Sequence, residues 1–124
     1  MLKHFLVFVG GGAGALIRYI AGTAIMQRFG GSFPLGTLTV NVTGCFIIGV
    51  LMTILTERFE FSPNWRFLLV VGFLGGYTTF SSFEYETLQA VRQGAWGSGI
   101  LNVVASVVAG YVAVWLGIAV ASRG

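Results

Sequence analysis

The nine residues Gly75-Gly76-Tyr77-Thr78-Thr79-Phe80-Ser81-Ser82-Phe83 hold the densest chemistry in this chain. They fall midway through an apolar stretch running from about Trp65 to Val91, and they set two glycines and four serine or threonine hydroxyls where lipid tolerates almost nothing polar. Adjacent glycines favour a helix break, which frees backbone N–H and C=O groups. Freed carbonyls can hold a cation, whereas freed N–H groups and hydroxyls can hold an anion. Phe80 and Phe83, three apart, share a face. Ring edges carry partial positive charge, so they attract a small anion without trapping it. Packing, or contact with lipid, is the competing use of both rings. Such a set suits ion permeation rather than bond making.

Other polar residues fall at helical spacings. Asn41 is four beyond Thr37 and three before Gly44, which gives one face an amide, a hydroxyl and a close-packing glycine. Two uses compete for Asn41: a hydrogen bond across to a neighbouring helix, or a ligand to an anion. Asn102, Ser106 and Gly110 follow at intervals of four, as a helix contact or as a track of uncharged donors. Arg18 stands four beyond Gly14 and eight beyond Gly10, on one face. It can line a vestibule, cap a neighbouring helix end, or snorkel to the headgroups. Glu84 and Glu86 lie toward the end of their helix, where a carboxylate serves as proton carrier, gate or solvated charge. Cys45 and His4 are each the sole residue of their type, which excludes an intrachain disulfide and leaves metal clusters and Ser-His catalysis without partners.

These residues need elements to hold them. The 124-residue chain is 56% hydrophobic and 9% charged, with a mean hydropathy of +0.87, which places it in a bilayer. A spanning helix takes roughly 20 apolar residues. Four such stretches occur, at about 5–26, 35–56, 65–91 and 98–121, and they form a single all-α transmembrane domain over 1–124. The first is too long for a signal peptide and lacks a convincing cleavage site. Pro34 suits the first turn of the second. Trp96 and Trp115 suit interfacial anchoring, and the net charge of +3, spread over loop ends, suits headgroups rather than nucleic acid.

With four crossings both termini share a side. That side collects Lys3, Arg58, Arg66 and Arg123, and the other collects Arg18, Arg28 and Arg92. Four against three is too even to choose an orientation by the positive-inside rule. Two opposite copies could then pair about an axis in the membrane plane, an inverted repeat built from two chains.

Three segments together carry a resemblance: Gly11-Gly12-Ala13-Gly14 running to Arg18-Tyr19, Gly36-Thr37-Leu38-Thr39-Val40-Asn41-Val42-Thr43-Gly44, and the nine-residue run. They resemble the Fluc (CrcB) fluoride channels of microorganisms over essentially the full length. The resemblance implies an antiparallel, dual-topology homodimer in the bacterial plasma (inner) membrane, its third helix broken mid-membrane. It implies two pores that passively export fluoride and lower its toxicity. It implies a structural sodium ion at the dimer centre, held by the carbonyls of Gly75 and Thr78. Phe80, Phe83 and Asn41 correspond to pore residues, with each pore drawing on both chains. Thr37 and Ser81 join the same pathway, and Asn102 and Ser106 correspond to the polar track. Gly110 has no hydroxyl for the third track position. Glu86 takes a pore-end role and Arg18 a vestibule role, whereas Glu84 departs from the pattern.

Two rivals come from other classes. A small dual-topology, proton-coupled exporter of the multidrug type needs a carboxylate in the first helix, which here has none. A structural subunit explains the glycines but not Asn41, Thr78, Ser81 and the phenylalanine pair. No constellation of catalytic groups supports an enzyme.

Overall fold

The computed structural model describes residues 1–31, 33–58 and 62–123, with Glu57 and Arg58 described by their backbone. Arg58 of the orientation tally therefore lies outside the described side chains, and 59–61 outside the described residues. Helix α1 spans Leu2–Phe29 and α2 spans Leu35–Thr53, continuing through the wider π-helical turn Ile54–Arg58. The third run, α3, begins at Pro63–Trp65, passes through π-helical Arg66–Leu74 and closes with Gly75–Tyr77. Helix α4 spans Phe80–Arg92 and α5 spans Trp96–Arg123. Among the described residues, four segments are long and apolar enough to cross a membrane: Leu2–Phe29, Leu35–Thr56, Pro63–Arg92 and Trp96–Arg123. Every described element is helical.

Local chemistry explains the ends. Ser62 accepts the Asn64 N–H at 3.2 Å and Pro63 opens the first turn, so α3 starts with a side-chain cap. Pro34 stands one place before α2, as its cap residue rather than within its first turn. After α4 the chain reverses through Gly94 (φ 85°), with Gly94 N–H donating to Val91 O at 3.0 Å and Ala95 N–H to Ala90 O at 2.8 Å. That bonding pattern closes a helix through a left-handed residue, which glycine adopts without steric cost.

Packing follows the small residues. Helix α1 lies along α3, and α2 along α5. A Cβ on Gly14 would overlap the Phe73 carbonyl, and one on Gly76 would overlap the Gly11 carbonyl, so these two backbones touch. Gly49 and Gly117 make the same contact between α2 and α5. Close approach of this kind gives van der Waals contact that apolar side chains, equally at home in lipid, cannot supply. Val40, Leu74 and Tyr77 form a buried cluster beneath the junction of α3 and α4. Outward faces stay apolar, with Phe8, Leu16, Val107, Tyr111 and Trp115 exposed.

Gly14→Ala and Gly117→Ala are each expected to lower stability by about 1–3 kcal/mol through overpacking. Gly12→Ala, where an added methyl meets nothing within 4 Å, is expected to be neutral or slightly stabilising. Thermal unfolding in detergent, followed by tryptophan fluorescence, separates the two classes.

Candidate functional site

Between α3 and α4 the backbone of Thr78 (φ −93°, ψ 156°) and Thr79 (φ −149°, ψ 122°) is extended. The two threonines account for both helix ends. Thr78 donates its N–H (3.0 Å) and its Oγ1 (2.9 Å) to Leu74 O, which closes α3. Thr79 Oγ1 accepts the Ser82 N–H at 3.2 Å, which opens α4 with a residue type suited to an N-cap.

Helices α1 and α2 bond three further peptide groups at the link. The Asn41 side chain bonds Thr79 twice: Nδ2 donates to Thr79 O at 2.9 Å, and Oδ1 accepts the Thr79 N–H at 2.8 Å. The amide thus stands in for a neighbouring strand, and Nδ2 retains a second N–H. Arg18 Nε donates to Gly76 O at 2.9 Å. Tyr77 and Thr43 share a hydroxyl hydrogen bond of 2.8 Å, and the Tyr77 ring stacks on Phe73 with centroids 5.9 Å apart. A Cβ on Gly44 would overlap the Thr78 methyl, so this glycine makes room for the link.

Two cavities flank the link, and Thr79 lines both. The first, about 600 Å³, is lined by Arg18, Thr37, Ser82, Glu86, Gln89 and Gln93 among others. In it Thr37 Oγ1 donates to Glu86 Oε2 at 3.0 Å, while Glu86 Oε1 is buried without a hydrogen-bond partner. The second, about 350 Å³, is mostly apolar and includes Asn41, Gly75, Thr78 and Phe80.

The expected site residues are distributed unequally over this frame. Phe80 and Phe83 do meet, with centroids 5.8 Å apart and planes at 58°. They do not share an environment: Phe80 is 73% exposed at the second cavity, whereas Phe83 is 7% exposed. Ser81 is exposed and lines neither cavity, whereas Ser82 lines the first. The cap explains that choice, because Ser82 and Glu86 fall three and seven residues beyond Thr79 on one helical face, with Ser81 turned away. Asn102 is 1% exposed and donates Nδ2 to Thr87 Oγ1 at 2.9 Å, which itself donates to Phe83 O at 2.8 Å. Ser106 Oγ is buried without a partner and Gly110 is buried, so that stripe faces inward, although neither cavity reaches it. Glu84 is exposed.

Thr79, Ser82, Thr43 and Thr87 have no individual role in the sequence patterns above. Thr79 carries a readable signal, an N-cap residue type directly before a helical run. Gln89 and Gln93 were also legible, three and seven residues beyond Glu86 on its helical face.

Residues 5–118 match the family described as CrcB-like protein, Camphor Resistance (CrcB). The chain is 58% identical over 122 residues to a protein of Solibacter usitatus named fluoride-specific ion channel FluC, covering 98% of this chain and 100% of that one. A protein of the same name from Acidobacterium capsulatum is 48% identical over 98% of both chains. Another, from Rhizobium leguminosarum bv. trifolii, is 44% identical over 97% of this chain and 96% of the relative.

Asn41→Ala leaves the Thr79 N–H and C=O without their partners, at an expected cost of about 2–3 kcal/mol. Asn41→Asp keeps the acceptor and loses the donor. Hydrogen–deuterium exchange at the Thr79 amide is therefore expected to be fastest in Asn41→Ala, intermediate in Asn41→Asp and slowest in the native chain.

Proposed function

Because this chain belongs to the CrcB-like protein family, we propose that it is a fluoride-selective channel through which fluoride leaves the cytoplasm down its electrochemical gradient. The observation that carries the reading is near-full-length similarity to relatives named as fluoride-specific channels, in a chain whose spanning segment places uncharged donors around an extended link. It is a multi-pass membrane protein and not an enzyme. The proton-coupled exporter is dropped: α1 contains no Asp or Glu, and the relatives are named as channels.

Fluoride is small and strongly hydrated, so a narrow route must replace its water with several donors at once. Asn41 with its second N–H and the ring edges of Phe80 and Phe83 supply donors that bind without fixed charge, while Thr37, its hydroxyl hydrogen given to Glu86, lines the wide cavity of the same pathway. Asn102 and Ser106, on the inward stripe of α5, extend that supply, and Ser106 has an uncommitted buried hydroxyl. Glu86 sits at the wide cavity end, where its unpaired oxygen and the neighbouring hydroxyls order water. A negative-inside potential drives an anion outward by about 2.3 kcal/mol per charge for each 100 mV, so export needs no pump.

The working unit in this reading is an antiparallel, dual-topology homodimer in the bacterial inner membrane, with two pores. Exposure of Phe80 beside the second cavity supports it, since a second, inverted copy would bring that ring into a shared path. The weak charge bias supports insertion both ways. Gly75 and Thr78 line that same cavity, and the extended ψ of Thr78 turns its carbonyl out of the helical ladder. Carbonyl oxygens without a carboxylate fit a hard monovalent cation, so these two residues would hold a structural sodium ion through the partial negative charge on their oxygens.

Efflux from liposomes loaded with fluoride, read by a fluoride electrode, tests the function. Fast loss that requires valinomycin and spares chloride is expected, and the Phe80→Ile, Phe83→Ile pair is expected to abolish it. Absence of fluoride flux from folded protein overturns the reading.

A further inference from the structure

Gly10, Gly14 and Arg18 follow one another at one-turn intervals along a single face of α1. The first two bring the α1 backbone onto α3: a Cβ on Gly10 would overlap the Leu68 carbonyl, and one on Gly14 the Phe73 carbonyl. One turn further, α3 ends. There the face presents a guanidinium, and Arg18 Nε donates to Gly76 O at 2.9 Å. Arg18 lines the same cavity as Glu86, yet it bonds the helix-end carbonyl.

We propose that Arg18 is a positioning residue for conduction, holding the Gly76 carbonyl so that the Thr78–Thr79 link keeps its register against Asn41 and Phe80. The inference rests on the channel reading above. Helix ends carry opposite partial charges, negative at the C-terminus and positive at the N-terminus. The link joins a C-terminal end, that of α3, to an N-terminal end, that of α4. An anion approaching it meets repulsion from the first and attraction from the second. Arg18 offsets the repulsive end through a charge-assisted hydrogen bond and leaves the attractive end open. It also braces a flexible place. Gly75 and Gly76 have no side chains to resist rotation, and Asn41 holds the link only from the far side, at Thr79. A clamp at each end defines where the two extended residues sit.

Geometry rather than charge distinguishes this role from simple anion attraction. Lysine keeps the charge and loses the rigid planar fork. Arg18→Lys, reconstituted as the full chain, is expected to lower maximal fluoride flux about tenfold, the loss of one charge-assisted hydrogen bond. The fluoride concentration giving half-maximal flux is expected to stay within about twofold of native, and the deficit to be equal at low and high ionic strength. Native flux in Arg18→Lys overturns the proposal, as does a change confined to the half-maximal concentration or one abolished by salt. Helicity and particle size in the same preparation report folding. Should Arg18→Lys not fold, Arg18→Gln, which keeps neutral N–H donors on a shorter chain, goes through the same measurements, and native flux there overturns the proposal as well. If the native chain itself carries no fluoride, the channel reading is what fails. The clamp is then judged by amide exchange at Gly76 to Thr79, expected to quicken in Arg18→Lys, with unchanged exchange overturning it.

Discussion

A spanning segment has no water to satisfy its peptide groups, and the segment Pro63–Arg92 contains two residues, Thr78 and Thr79, in extended conformation. Each unpaired group there would cost several kcal/mol. Hydrogen bonding at this link is the constraint on which the remaining structure depends. Thr78 and Thr79 answer part of it locally, as stop and cap. Gly76 O and both peptide groups of Thr79 are answered from other helices, by Arg18 of α1 and Asn41 of α2. Neither can reach unless the backbones are close, and the glycine contacts along α1 and α3 bring one of them there.

The same arrangement explains how polar chemistry survives in so apolar a chain. Hydrogen bonds committed to the link are unavailable for trapping an ion, and beside the Arg18 guanidinium on the wide cavity the donors left over include uncharged ones: the second N–H of Asn41, the buried hydroxyl of Ser106, the ring edges. Selective passage of a strongly hydrated anion calls for enough donors to replace water and too little charge to hold the ion. Asn41 thus serves both ends, bonding the link through one N–H and keeping the other.

Much of the layout was legible in the chain itself. Four apolar runs of spanning length led to four spanning helices, because the requirement of roughly 20 apolar residues leaves little room for another reading. Face-sharing was legible too: Arg18 does lie on the face of Gly14, and Gly44 does lie beside Asn41 near the link. Direction along α4 depends on an event upstream. Ser82 and not Ser81 meets the wide cavity because α4 takes its phase from the cap at Thr79.

Hydropathy, span number and which residues share a face were thus carried by the chain alone, since all of these follow from neighbours within a few positions. Only the tertiary structure decided what each face meets. Three uses were open to Arg18, and the approach of α1 to α3 selected the helix-end carbonyl while keeping the side chain on the wide cavity. Asn41 was open as neighbour bond or anion ligand, and the 38 residues separating it from Thr79 are closed by packing, so that one amide serves the backbone first. Phe80 and Phe83 share a spacing but not a burial, because helices α2 and α5 cover one side of α4 and leave the other open. The reason is physical: helical periodicity acts over a turn, whereas a partner is chosen by which backbones come close enough to touch.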